Sequence, residues 1–225
     1  MADSIWIPTQ AEALPVARSI ARHSVLVRIT HWIITIAFFA LLITGIEILI
    51  SHPRFYWGET GNVNMTPLFK FNIPSSRATV PTGYGYVLPD QNGWSRYLHF
   101  QSAWVVVLTG LLYFLYGLVT RHFLRNLLPS GAGTAYNTLQ RITYLFVIFG
   151  LFPLVIWTGL AMSPSVTSVF PPMVTLLGGQ QSARTIHFFV SVFLVIFLAG
   201  HVSMVIRSGF RDRMRGMITG SVNHE

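Results

Sequence analysis

Cysteine is absent from this 225-residue chain, which removes disulfides, thiolate-held iron–sulfur clusters, covalently attached c-type haem and cysteine nucleophiles from its chemistry. Charge is scarce too. Asp, Glu, Lys and Arg together make up 10% of the residues, whereas an ordinary soluble chain carries about 25%. With 52% hydrophobic residues and a mean hydropathy of +0.55, the composition excludes the usual soluble classes and indicates a polytopic membrane protein. A secretory signal is not expected either. Arg18, Arg22 and His23 precede an apolar run too long for a signal-peptide core, and no small-residue cleavage site follows it.

What the chain does contain is four long apolar stretches, roughly Val25 to Ile50, Ser95 to Val119, Gln140 to Ala161 and Thr185 to Ile206. Each has the ~20 residues needed to cross a hydrocarbon core as a helix. The expected fold is an all-α membrane protein, a four-helix transmembrane bundle. A terminal segment occupies residues 1–24, the bundle 25–206 with a long connection at 51–94, and a basic tail 207–225.

Basic residues set the expected orientation, because Lys and Arg accumulate on the cytoplasmic side. Arg18, Arg22 and Arg28 flank the start of span one, Arg121, Arg125 and Arg141 lie between spans two and three, and Arg207, Arg211, Arg213 and Arg215 follow span four. Placing these segments on one side makes both termini cytoplasmic and loop 51–94 extracytoplasmic. The net charge of +8 is explained by this asymmetry and by attraction to anionic membrane lipid, and no aromatic-interleaved basic module points to nucleic acid.

In that topology His31 and His201 lie near the cytoplasmic ends of spans one and four, and His99 and His187 near the outer ends of spans two and four. Two level pairs result. The 14 residues from His187 to His201 correspond to about 21 Å of helical rise and nearly whole turns, so both fall on one face of span four. A polar imidazole in a span is costly without a partner, and facing imidazoles at two depths are what two stacked b-type haems require of a helical bundle. Gly45, Gly110, Gly159 and Gly200 would admit a flat porphyrin close to the backbone, although close helix packing accounts for them equally well.

Arg28, Arg96 and Arg184 each precede one of these histidines by three residues. That spacing puts both side chains on one helix face with the guanidinium nearer water, where it can pair with a haem propionate or simply snorkel to the interface. His23, His52, His122 and His224 fall outside the spans and are read as interfacial.

The R-x-x-H-W run Arg28 to Trp32, the R-x-x-H-F runs Arg96 to Phe100 and Arg184 to Phe188, and His201 resemble the bacterial cytochrome b561 superfamily. The likeness extends from about Arg18 to Arg215, and within the superfamily the chain is similar to the membrane cytochrome b subunits of formate dehydrogenase, nickel–iron hydrogenase and thiosulfate reductase. It implies two haem b groups, ligated by His99 with His187 on the outer side and by His31 with His201 on the inner side. It also implies electron relay between an extracytoplasmic redox subunit and the quinone pool, in the bacterial inner membrane. The segment Ser51-His52-Pro53-Arg54-Phe55-Tyr56-Trp57-Gly58 is similar to a loop signature of the thiosulfate reductase type, whose members accompany molybdopterin enzymes of the sulfite oxidase type.

Loop 51–94 carries Pro53, Pro67, Pro74, Pro81 and Pro89 among aromatics including Phe55, Tyr56, Trp57, Phe69, Phe71, Tyr84 and Tyr86. A long connection of that composition is expected to cap the outer haem or dock a soluble subunit, or else to form an aromatic belt on the bilayer surface. Pro153 should kink span three. Glu47 is the one acid within the four apolar stretches, suited to a quinol proton relay or to an interfacial position facing loop one. The sequence itself does not place a quinone pocket; some members of the resembling family build it beside the inner haem, which here would involve residues around Arg28, His31 and Arg125. Two other classes fit the composition: a stand-alone membrane enzyme such as a superoxide:quinone oxidoreductase, or a cofactor-free anchor or histidine-based transporter, for which repeat symmetry or broken midplane helices would be expected.

Overall fold

The structure, a computed structural model, describes residues 24–62, 64–73, 91–121, 123 and 138–220. Arg18, Arg22, His23, Pro74, Arg77, Pro81, Tyr84, Tyr86, Pro89, His122, Arg125 and His224 lie outside the described residues, as does the side chain of Arg141.

Helices α1 (Val25–Ser51) and α2 (Gln91–Val119) form spans one and two. Span three is built from α3 (Thr138–Phe146), a π-helical turn (Val147–Leu151) and α4 (Phe152–Ala161). Short helices α5 (Pro164–Val169) and α6 (Pro172–Thr175) lead into α7 (Gln180–Arg207), which is span four, and α8 (Phe210–Ile218) follows. At 27 residues α1 is about 40 Å long, more than the ~30 Å hydrocarbon thickness. All four spans are long and apolar enough to cross a membrane.

The spans associate in two pairs, α1 along α2 and span three along α7; among the described residues, extensive backbone approach occurs within these pairs and not between them. The α1 seam explains the first pairing. Thr30, Ala37, Thr44 and Ser51 are its buried residues, one in every seven, a row of small side chains that lets another helix approach closely. On α2, Ser95, Ser102 and Val106 are buried. Larger residues of α1, such as Ile29, Ile36, Phe39 and Ile43, are exposed on the outer surface, where lipid is their natural solvent. Between span three and α7, Val147, Leu151, Val190 and Leu194 form a buried apolar cluster that Phe38 of α1 also reaches.

Pro153 affects span three through a local change of winding rather than a simple break. A proline at residue 153 offers no N–H to the preceding turn, and the five residues Val147–Leu151 adopt π-helical geometry immediately before it. Such bulges re-aim the side chains on either side.

Spans two and four start at Gln91 and Gln180, a turn earlier than hydropathy suggests. For α7 the cause lies in the loop. The Gly58 carbonyl accepts from the Gln181 and Ser182 N–H groups at 2.9 and 3.2 Å, and the Glu59 carboxylate accepts from the Gln180 N–H at 3.2 Å, satisfying donors that a helix start leaves orphaned.

The loop itself folds into a small antiparallel ladder, β1 (Arg54–Phe55) with β2 (Phe69–Lys70), in the register Arg54 to Lys70 and Phe55 to Phe69. Phe55 stacks on Phe69 at 4.6 Å between ring centres and packs on Phe188 at 4.7 Å. Thr185 donates to the Tyr56 carbonyl at 2.7 Å, and Ser182 Oγ accepts from the Gly58 N–H at 2.7 Å. Loop one is therefore seated on the first turns of span four.

Candidate cofactor site

Both expected histidine pairs form. His99 of α2 and His187 of α7 have ring centres 6.3 Å apart, and so do His31 of α1 and His201 of α7. Each pair bridges the gap between the two helix pairs. Imidazoles bonded to opposite sides of one metal ion, with metal–nitrogen bonds of about 2 Å, have ring centres roughly 6 Å apart. The spacing thus accommodates a single iron atom within each pair. Among the described residues no three His, Asp or Glu side chains converge, so the imidazoles are grouped strictly by two.

The outer pair has supporting groups that the sequence reading did not single out. Thr44 Oγ1 lies 2.9 Å from His99 Nδ1, and Thr158 Oγ1 lies 2.9 Å from His187 Nδ1. Both threonines are fully buried. Each is followed by a glycine: a Cβ on Gly45 would stand 3.7 Å from His99 Cε1, and one on Gly159 would stand 3.5 Å from His187 Cε1. The missing side chains let each imidazole lie close to the backbone of the facing helix. At Gly110 and Gly200 a Cβ would meet nothing within 4 Å. Gly110 and Gly200 therefore border open space, whereas Gly45 and Gly159 lie against the imidazoles. The sequence signal for this arrangement is a Thr-Gly dipeptide at Thr44-Gly45 and Thr158-Gly159, which span two also carries at Thr109-Gly110.

The inner pair is built differently. The His201 ring stacks on Phe197 at 5.9 Å and faces Tyr144 of span three at 6.3 Å, and its Nδ1 is buried without a hydrogen-bond partner among the described residues. His31 packs edge-on against Trp32 at 5.4 Å.

The three arginines diverge in their surroundings. Arg28 donates to the Ile218 carbonyl at 2.9 Å, and Trp32 Nε1 donates to the Met217 carbonyl at 3.1 Å, so the start of span one holds the C-terminal end of α8. That helix was not foreseen within the basic tail, although Phe210, Met214, Met217 and Ile218 carry a helical spacing. Arg184 donates to the His52 carbonyl, and its guanidinium lies 4.8 Å above the Phe55 ring. Arg96 is exposed. Glu47 is half-buried, one turn beyond Thr44 on α1.

The imidazole spacing, the glycines against the outer imidazoles and the hydroxyl partners at Nδ1 fit haem b. Comparison with known proteins agrees. The chain is 28% identical over 204 residues to the putative protein-methionine-sulfoxide reductase subunit YedZ1 of Azospira oryzae, covering 82% of this chain and 90% of that protein. No solved structure matches it. Residues 22–220 match prokaryotic cytochrome b561, and with four membrane-length helices the chain belongs to that family of prokaryotic membrane cytochromes, which brings with it an expectation of haem b.

Proposed function

We propose that this chain is a di-haem b-type cytochrome subunit that relays electrons between a redox partner on the extracytoplasmic face and the quinone pool. The observation that carries this reading is the pair of equal imidazole separations, His99 to His187 and His31 to His201, both 6.3 Å. In this reading each pair binds one haem b, and when bound these groups supply two one-electron sites at two membrane depths.

The chain's own residues hold and insulate those sites. His187 and His201 share α7, so one continuous helix fixes the depth difference at about 21 Å. The apolar spans keep water away from both pairs. Thr44 and Thr158 orient the outer imidazoles; of the arginines expected to serve propionates, Arg96 is exposed at its span end, while Arg28 and Arg184 also hold the Ile218 and His52 carbonyls. Both termini face the cytoplasm, following the distribution of arginine.

The outer partner docks on loop 51–94. Its hairpin is anchored on Phe188, the residue after His187, while Trp57 and Leu68 remain exposed. That the relative is named as a reductase subunit supports a separate protein that carries out the substrate chemistry, and the loop signature suggests a molybdopterin enzyme. With a reductase as partner the chain oxidises quinol, which gives up two electrons and two protons; with a dehydrogenase it reduces quinone.

The test is reduction of the purified, detergent-solubilised cytochrome by a short-chain quinol, followed at the b-type α-band. Reduction of a substantial share of the dithionite-reducible haem supports the reading. A fully haem-loaded protein that no ubiquinol, menaquinol or naphthoquinol analogue reduces would overturn the quinone assignment.

A further inference from the structure

Resting on the haem reading above, we infer that Thr44 and Thr158 are paired positioning residues that fix the tautomer of the outer imidazoles and lower the reduction potential of the haem they hold. The hydroxyl geometry carries this step. A threonine hydroxyl has one proton to donate and two lone pairs to accept with. Thr44 Oγ1 lies 2.7 Å from the Ala40 carbonyl, and Thr158 Oγ1 lies 2.9 Å from the Leu154 carbonyl. Both are the back-bond from a helical threonine to the carbonyl four residues earlier. A carbonyl can only accept, so these short contacts are attractive only with the hydroxyl proton directed at the backbone.

With the hydroxyl proton so directed, the contact at 2.9 Å between each hydroxyl and its imidazole Nδ1 runs the other way, with Nδ1–H donating to Oγ1; backbone hydrogen bonds with Leu41 for His99 and Val155 for His187 favour the same protonation. A neutral imidazole protonated at Nδ1 carries its free lone pair on Nε2. Ligation through Nε2 is therefore prepared on both outer histidines before any metal arrives. A hydrogen bond from the second ring nitrogen also raises ligand basicity, which favours the ferric state and moves the potential down.

The two halves of the molecule supply this device in the same way. Thr44 and Gly45 of span one serve His99 of span two, and Thr158 and Gly159 of span three serve His187 of span four. At the other depth, His201 has an aromatic ring on one side and no hydrogen-bond partner at Nδ1 among the described residues. The outer and inner haems are consequently tuned by different means.

Thr44→Val and Thr158→Val keep the branched shape and remove the hydroxyl acceptor while leaving the backbone bonds with Leu41 and Val155 in place, and Thr44→Ser and Thr158→Ser keep the hydroxyl. Spectroelectrochemical titration of each purified variant reads the two haem potentials separately, with haem per chain measured in parallel. In the valine variants one component should shift to higher potential while the other stays fixed, and serine should return it to the wild-type value. Loss of one haem equivalent in a valine variant that serine restores also supports the assignment. Unchanged potentials with both haems retained, a shift in both components, or a loss that serine does not restore would overturn it. Absence of haem from the wild-type chain would instead defeat the underlying haem reading.

Discussion

His31 and His201 face each other across the gap between the two helix pairs with ring centres 6.3 Å apart, the separation also found between His99 and His187. Histidines placed only to satisfy their own hydrogen bonds have no reason to repeat one spacing at two depths. A shared cofactor geometry gives that reason.

Ligand substitution should therefore be depth-selective. His99→Ala or His187→Ala should leave one haem per chain, and His31→Ala or His201→Ala should leave the other, distinguishable by redox titration. Pyridine haemochrome analysis of each variant checks this. Two full equivalents in any one of them would remove that residue from the ligand set.

Gly179 holds loop one against span four through its lack of a side chain. Its φ is +110°, and a Cβ there would lie 2.6 Å from the Gly58 carbonyl carbon. Gly179→Ala should weaken loop docking by about 1–3 kcal/mol from backbone strain, with the steric contact adding to it. Limited proteolysis between residues 53 and 71 should become several-fold faster, with haem content retained. An unchanged cleavage rate would show that the loop is not seated through this contact.

Because the chain has no cysteine, its topology can be read with single introduced thiols in an otherwise unreactive background. Leu68→Cys, on the exposed side of the hairpin, should react with a membrane-impermeant maleimide in spheroplasts. Ser208→Cys, exposed just after span four, should react only after the membrane is opened. The reverse pattern would invert the proposed orientation.

The four spans and the two histidine pairs were legible from sequence because each rests on a strong energetic requirement. Long apolar runs have few alternatives to crossing a bilayer, and a histidine within one needs a partner. Depth and helical phase then leave few ways to pair His31, His99, His187 and His201. Thr44 and Thr158 were not legible in the same way. A threonine inside a span is already satisfied by its own helix, as the bonds to Ala40 and Leu154 show, and its second role appears only when a neighbouring helix brings an imidazole to it. The surroundings of Arg28 and Arg184 depend likewise on distant segments. Arg28 is held by the carbonyl of Ile218, 190 residues away, and Arg184 by that of His52, 132 residues away; their spacing from His31 and His187 gives no sign of either.

The most direct test is a dithionite-reduced minus oxidised visible spectrum of the purified chain, calibrated by pyridine haemochrome against protein concentration. Two haem b per polypeptide is the expected result, with a b-type α-band that titrates as two components. A folded, purified chain with no haem, or with a single haem that survives substitution at both pairs, would contradict the assignment of His31, His99, His187 and His201 as two ligand pairs.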